Sequence, residues 1–196
     1  MANEIWVFSE KTSLQAELLA CAKGLAGVLG ASTTAVVLGD QAAVDGAFAQ
    51  GAGKVYWLGE KTGGQLVEDY VPTLAALLEE HKPAALLVGS TRRGKVVAGR
   101  LGATLGLAVL ADVKEMTVQA GAIQASHMIF AGAALRVEKA LTATLLATMG
   151  PGVAEALPPD AVFVSFAYVD ENRRKIRISG PAQRVRDLLR DISREV

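Results

Sequence analysis

The loop Gly89-Ser90-Thr91-Arg92-Arg93-Gly94-Lys95 is the stretch of this sequence whose residue types most clearly suggest chemistry. It follows an apolar run and opens a helical pattern. Unpaired backbone N–H groups at a helix start, two hydroxyls and three cations would together favour an anion. Alternatively, a hydroxyl caps the helix while the cations are solvated or meet a partner protein. The candidate residues for an anion or partner contact are Ser90, Thr91, Arg92, Arg93, Gly94 and Lys95.

Other residue types that do chemistry are few. His81 and His127 are the only imidazoles and are not at metal-ligand spacing. We expect His81 to complement a helix dipole and His127 to pack in a strand. Cys21, the only cysteine, falls in a helical Ala/Leu pattern and is predicted to be a buried thiol. The sequence also lacks a GxSxG elbow, a Walker lysine and a GxGxxG loop, so we predict no catalytic residue, no metal site and no enzyme.

Composition excludes several classes of protein. The chain has 196 residues, is 51% hydrophobic and carries 20 basic and 20 acidic side chains. A zero net charge argues against a nucleic-acid binder. No uncharged apolar run reaches the ~18 residues that a membrane span needs, and no signal peptide is visible, so we expect a cytoplasmic protein.

The elements that must position the loop alternate between strand and helix in the first half of the chain. Continuous apolar strands predict a parallel sheet covered by helices on both faces, that is, a three-layer α/β domain. The predicted strands are Ile5–Phe8, Thr34–Leu38, Lys54–Leu58 and Ala84–Gly89; the predicted helices are Leu14–Leu29, Ala42–Gln50, Leu66–His81 and Gly94–Leu105.

The pattern changes after Asp112, following a short apolar run over Leu107–Leu110. Three segments resemble strands without intervening helices, which predicts a small antiparallel addition or sheet edge: Lys114–Gln119, Ile123–Phe130 and Leu141–Thr148. Further strands are predicted at Val162–Val169 and Arg174–Ile178, and an amphipathic helix at Ala182–Arg194. We therefore divide the chain into an α/β domain at 1–170 and a basic, helical extension at 171–196.

Three segments of the sequence resemble a known family. The stretch from Val88 to Ala103, VGSTRRGKVVAGRLGA, with Ala111-Asp112-Val113 after it, is similar to the alpha subunit of electron-transfer flavoproteins. The likeness is strongest to the FixB-like branch, in which Thr-Arg-Arg-Gly-Lys occurs in this loop. Ile5-Trp-Val-Phe-Ser-Glu and Ser126-His-Met-Ile-Phe-Ala-Gly-Ala-Ala add to the resemblance, which covers about residues 4 to 155.

The resemblance implies a nucleotide-hydrolase-like (Rossmann-like) sheet and a role in electron transfer. In that family a beta-type subunit joins the alpha subunit, and FAD carries electrons from acyl-CoA-type dehydrogenases to an acceptor. FAD is held mainly by a carboxyl-terminal domain marked by Gly-Gly-Arg-Gly, a segment without a match here, so we expect this chain alone not to hold FAD. AMP would belong to the partner subunit. The alternative, from the loop alone, is a stand-alone nucleotide-binding or anion-binding α/β domain without a redox role.

Overall fold

The structure is a computed structural model that describes residues 4–156 and the backbone of two further strands at 163–170 and 173–179. The α-helices are α1 (Thr12–Leu29), α2 (Gln41–Ala49), α3 (Val71–His81) and α4 (Arg92–Leu105), with short 3-10 turns at Val67–Tyr70 and Phe130–Gly132. The strands are β1 (Glu4–Phe8), β2 (Ser32–Val37), β3 (Lys54–Trp57), β4 (Ala85–Gly89), β5 (Val109–Gln119), β6 (Ala122–Ile129), β7 (Ala134–Lys139), β8 (Leu145–Met149), β9 (Phe163–Asp170) and β10 (Arg173–Ser179).

Helix ends follow the residues that can adopt the required backbone. Gly30 ends α1 and Gly106 ends α4, each with a positive φ that a residue without a Cβ adopts without strain. Asp40 caps α2 by accepting from the backbone N–H of Ala43, and Thr91 caps α4 in the same way. The predicted boundaries of α1 and α2 lie within two residues of the observed ones. The helix α4 begins at Arg92, two residues earlier than predicted, and α3 begins at Val71, five residues later than predicted, because the 3-10 turn Val67–Tyr70 precedes it.

Eight strands form one sheet in the order β3-β2-β1-β4-β8-β5-β6-β7. The strands from β3 to β5 in this order are all parallel. The chain winds outward from β1 to β3, then returns to place β4 on the other side of β1. This is the doubly wound arrangement, and its switch point lies between β1 and β4.

The two faces of the sheet have separate apolar cores. Side chains of α1 and α2, such as Leu18 and Ala47, pack on one face against Ile5 and Leu87. Side chains of α3 and α4 pack on the other face against Trp6, Phe8, Leu86 and Val88. Because β1 and β4 are covered on both faces, every residue from Ile5 to Phe8 and from Ala85 to Gly89 is buried. The predicted three-layer, Rossmann-like fold is confirmed.

The antiparallel addition consists of β5, β6 and β7, joined as a meander. Here three predictions are wrong in detail. The run Leu107–Leu110 and the segment Lys114–Gln119 belong to one strand, β5, which a bulge interrupts. The sequence does not predict β7, because Glu138-Lys139 is a turn signal of residue types that are depleted in strands.

The third correction concerns β8. The sequence predicts Leu141–Thr148 as part of the antiparallel edge, but the strand begins at Leu145 and lies inside the sheet, parallel to both β4 and β5. Its five residues are all buried, which explains why they form a continuous apolar run. Such a run does not reveal the neighbours of a strand.

The segments near the carboxyl terminus form an antiparallel pair, β9 with β10. They coincide with the predicted strands at Val162–Val169 and Arg174–Ile178 within a residue at each end. The predicted helix Ala182–Arg194 lies outside the described residues. The division at residue 170 stays a prediction.

Candidate functional site at the carboxyl edge of the sheet

The predicted loop lies at the switch point of the sheet. Ser9 and Glu10 follow β1, and Ser90 and Thr91 follow the neighbouring strand β4, so the four residues meet at the carboxyl ends of two parallel strands. A crevice between such strand ends is the usual ligand site of an open α/β sheet.

Thr91 closes this crevice from the β4 side. Its hydroxyl accepts from the backbone N–H of Gly94 at 2.9 Å, which caps α4, and donates to Oε1 of Glu10. The other carboxylate oxygen, Oε2, is buried and has no hydrogen-bond partner among the described residues. One hydroxyl therefore links the end of β1 to the start of α4.

Two glycines allow the backbone to pack closely at the same place. A Cβ on Gly94 would lie 1.9 Å from the carbonyl oxygen of Gly89, and a Cβ on Gly89 would lie 2.6 Å from Oγ of Ser9. The start of α4 is thus pressed directly onto the end of β4. No side chain could be added at either glycine without moving its neighbours.

Asp112 approaches the loop from β5. It lies in the bulge of that strand with φ 53°, and its backbone N–H donates to the hydroxyl of Thr148 at 3.0 Å. The carboxylate accepts from the Ser90 hydroxyl and from Nζ of Lys95, the latter at 2.8 Å. Hydrogen bonds from Lys95 and then Ser90 lower the pKa of Asp112 below its ordinary value.

Arg93 forms an ion pair with a different acidic residue, Glu68. Its Nη1 donates to both carboxylate oxygens of Glu68 at 3.0 Å each. The pKa of Glu68 is lowered, first by its own backbone N–H and then by Arg93. Arg92 is exposed and has no acidic partner among the described residues.

The charges around the loop therefore compensate one another. Two of its three cations are held by Asp112 and Glu68, and Glu10 adds a carboxylate at the helix start, where an anion would otherwise bind. A buried carboxylate oxygen without a partner repels a phosphate. The described residues at this edge do not fit the pyrophosphate of FAD, and we derive no flavin chemistry from them.

A hollow also lies elsewhere on the domain. A groove of about 940 Å³ runs along the amino edge of the sheet, between the end of α1 and the β5–β6 hairpin. Its lining is mainly apolar, with Leu29, Ile123 and Leu145 among its residues and Lys82 as the cation. None of the predicted site residues lines it.

The remaining predicted residues have structural contacts. His81 ends α3, and its Nε2 lies 2.9 Å from the hydroxyl of Tyr56. In His127, Nδ1 lies 3.3 Å from the carbonyl oxygen of Ala111 and Nε2 lies 3.2 Å from Glu138. Burial raises the pKa of Cys21 to about 11, although the thiol is only partly buried and not fully buried as predicted. In the described part of the chain, no three His, Cys, Asp or Glu side chains are grouped so that they could hold a metal.

Sequence reasoning missed the acidic half of the site. Glu10 could have been included, because it directly follows the strand that neighbours β4. Asp112 is part of the family motif in the sequence, but that motif does not predict its contacts with Ser90 and Lys95. For Glu68 the sequence gives no signal, since its approach to Arg93 depends on how the 3-10 turn Val67–Tyr70 packs beside α4.

These features define a class: a doubly wound α/β domain with an antiparallel extension and a charge-compensated loop at its switch point. The family model described as "Electron transfer flavoprotein domain" matches residues 5–171. The chain belongs to this family, as the resemblance in its sequence predicted.

Three similar proteins share a name. "Protein FixB" of Escherichia coli O157:H7 and that of Shigella flexneri are each 35% identical to this chain over 162 residues. "Protein FixB" of Escherichia coli O9:H4 (strain HS) is 34% identical over 160 residues. Each alignment covers 81% of this chain and 50% of the relative. The chain thus spans about half the length of these relatives.

The description of the family refers to electron transfer. Among the described residues, every helix is too short or too polar to cross a membrane.

Proposed function

We propose that this chain is the amino-terminal domain of the alpha-type subunit of an electron-transfer flavoprotein in the cytoplasm. It supplies a scaffold and a subunit interface to a beta-type subunit, while FAD is held by a part of the assembly outside the described residues. Electrons would come indirectly from an acyl-CoA-type dehydrogenase, and AMP, where present, would be bound by the partner subunit. Membership of the family supports this role.

The observation that carries the proposal is the charge compensation of the Ser90–Lys95 loop. Thr91, Arg93 and Lys95 are engaged within the chain by Glu10, Glu68 and Asp112. A loop whose helix start is capped and whose charges are paired within the chain favours contact with a protein surface over binding of a free anion. Arg92, exposed at the first turn of α4, is the cation that remains to meet an acidic group of the partner.

The experiment is coexpression with the beta-type subunit of the same organism. We expect the two chains to copurify, and we expect Arg92→Glu to weaken the complex by about tenfold. Folding should not suffer, because an acidic side chain at a helix start is favoured by the helix dipole. Arg100→Glu is the matched control, since it makes the same charge change at an exposed position of the same helix. If the wild-type chain does not bind the beta-type subunit, the proposal fails; if both variants bind like the wild type, the loop is not the contact.

The alternative function, a stand-alone nucleotide or anion binder, is tested separately. Calorimetry with AMP, ATP, FAD and coenzyme A should give no binding heat for the chain alone, because Glu10 opposes a phosphate at the helix start. The chain purified alone should also lack visible flavin absorbance. Saturable binding of any of the four, lost on Arg92→Glu, would favour the alternative.

A further inference from the structure

The groove between the end of α1 and the β5–β6 hairpin is an apolar surface that is open to solvent. Three of its lining residues, Leu29, Ile123 and Leu145, belong to the core that α1 covers. Ala120 and Ala143, which also line it, are exposed. A large apolar hollow in contact with water marks a place where apolar side chains can pack.

The chain carries a second apolar surface near its carboxyl terminus. The sequence predicts an amphipathic helix over Ala182–Arg194, outside the described residues. Its large apolar residues recur at helical spacing and so share one face of the predicted helix, the apolar stripe: Val185, Leu188, Leu189 and Ile192. Isolated helices of fewer than about 12–15 residues are only marginally stable in water. The predicted helix therefore needs a surface on which to bury this stripe.

The chain approaches this segment on the α1 face of the sheet. After β8, the backbone N–H of Gly152 donates to Oε2 of Glu17 in α1 at 2.7 Å, and Val153 packs against the core that α1 covers. Residues of β9 then lie within 8 Å of α1, measured between Cα atoms, and β10 pairs with β9. The residues that follow Ser179 therefore start from the face of the sheet on which the groove opens.

The segment is long enough to reach the groove. The helix α1 has 18 residues, so it is about 27 Å long, and its end borders the groove. The predicted helix would be about 20 Å long, and residues 180 and 181 before it add about 7 Å. A helix that starts beside either end of α1 can thus bring its apolar stripe to the groove.

From this match of face, reach and apolar character we propose that the predicted helix Ala182–Arg194 docks in the groove of its own chain. The apolar stripe packs between Leu29 and the β5–β6 hairpin, and the extension folds together with the α/β domain. A tethered segment is present at an effective concentration on the order of millimolar, which favours it over a second copy at micromolar concentration. The inference is independent of the loop contact proposed above, which lies at the opposite edge of the sheet.

The first test places a nitroxide spin label beside the groove of the full chain. Ala143→Cys, combined with Cys21→Ser, carries the label at an exposed position of the lining. We expect the label to broaden the backbone amide NMR signals of residues 185–192. The control is a label on Ala103→Cys, which is exposed on α4 at the other face of the sheet and should leave these signals sharp. Equal broadening from both positions, or none from Ala143→Cys, would overturn the proposal.

A mixture of two samples distinguishes the same chain from a second copy. Spin-labelled Ala143→Cys protein without the NMR isotope is mixed with isotope-enriched wild type. We expect the signals of residues 185–192 to stay sharp, because the segment docks within its own chain. Broadening in the mixture would show that a second copy is the occupant and would refute the proposal.

Thiol labelling tests the docked face without any change in the groove. Leu189 belongs to the apolar stripe, whereas Asp187 lies on the opposite side of the predicted helix. With Cys21→Ser in both proteins, iodoacetamide should label Leu189→Cys about tenfold more slowly than Asp187→Cys in the native state. The two rates should be similar in urea. Similar rates in the native state would contradict docking through this face.

Leu189→Asp separates this inference from the proposed function. A carboxylate in the apolar stripe should release the segment and abolish the broadening by the Ala143→Cys label. We expect the variant to bind the beta-type subunit as the wild type does. Loss of that complex would mean that the segment meets the beta-type subunit, which would refute the groove as its site.

Discussion

Asp112 shows how a single residue in a strained position can organise a loop. A bulge in β5 gives it a left-handed backbone, which aspartate and asparagine adopt more readily than most residues. From there its carboxylate reaches both Ser90 and Lys95. Two positions of the loop are thereby fixed by one side chain from another strand.

The lowered pKa of Asp112 predicts a dependence of stability on pH. Because the carboxylate is favoured in the folded state, its contribution is complete above the ordinary carboxyl pKa and is lost as the pH falls through the lowered folded value. Asp112→Asn keeps the backbone preference but removes the charge. We expect the variant to be less stable than the wild type at neutral pH and equally stable in strong acid.

Urea unfolding at several pH values measures this difference. The effect should be small, because the side chain is 55% exposed and solvent screens its ion pair. Asp45→Asn, on the outer surface of α2, is a control whose carboxylate has no ion pair among the described residues. A constant difference between wild type and Asp112→Asn at all pH values would contradict the assignment.

The Thr91 side chain should also contribute to the stability of the fold. Thr91→Ala removes the cap of α4 and the hydrogen bond to Glu10 together. We expect the free energy of unfolding to fall by about 2 kcal/mol, somewhat above the ordinary value for a lost cap. Ser13→Ala, at the start of α1 where no side chain caps the helix, should change it by far less; equal losses would show that the cap is unimportant.

At the scale of the element, α4 is positioned by a glycine that faces the backbone. The Cβ of Gly94→Ala would lie 1.9 Å from the carbonyl oxygen of Gly89, so the helix must move away from β4. We expect a loss of at least about 3 kcal/mol in the free energy of unfolding.

Gly99 provides the matched comparison within the same helix. A Cβ there meets nothing within 4 Å, so Gly99→Ala should stabilise the protein by about 0.5–1 kcal/mol through helix propensity alone. Thermal unfolding of both variants tests the pair of predictions. Similar behaviour of the two would contradict the close packing of α4 on β4.

The elements also show what could be predicted from sequence and what could not. The alternation of buried strands and helices up to Leu105 is local information, and it gave the right elements in the right order. The pairing of β8 between β4 and β5 is not local, and its apolar run fits an inner strand of either half equally well. The same holds in the site, where the cap at Thr91 was predictable and the contact of Arg93 with Glu68 was not.

At the scale of the whole molecule, Cys21 reports on unfolding. It lies in α1, partly buried against the sheet, and burial raises its pKa to about 11. Its thiolate fraction at neutral pH is therefore about a hundredfold below that of an ordinary cysteine thiol. We expect iodoacetamide to label the native protein far more slowly than the urea-unfolded chain.

The control for this labelling is an exposed thiol on the same helix. Cys21→Ser/Val28→Cys should react at nearly the same rate with and without urea, since Val28 is 61% exposed. Fast labelling of Cys21 in the native protein would mean that α1 detaches from the sheet without global unfolding.

The insertion of β8 has a consequence for synthesis on the ribosome. The chain makes β4 and α4 first, then the meander from β5 to β7, and only afterwards the strand that separates β4 from β5. Until residues 145–149 emerge, the apolar strand β4 has an open edge inside the future sheet, and such edges invite aggregation. Nascent chains that stop before β8 should therefore need a chaperone, and those that include it should not.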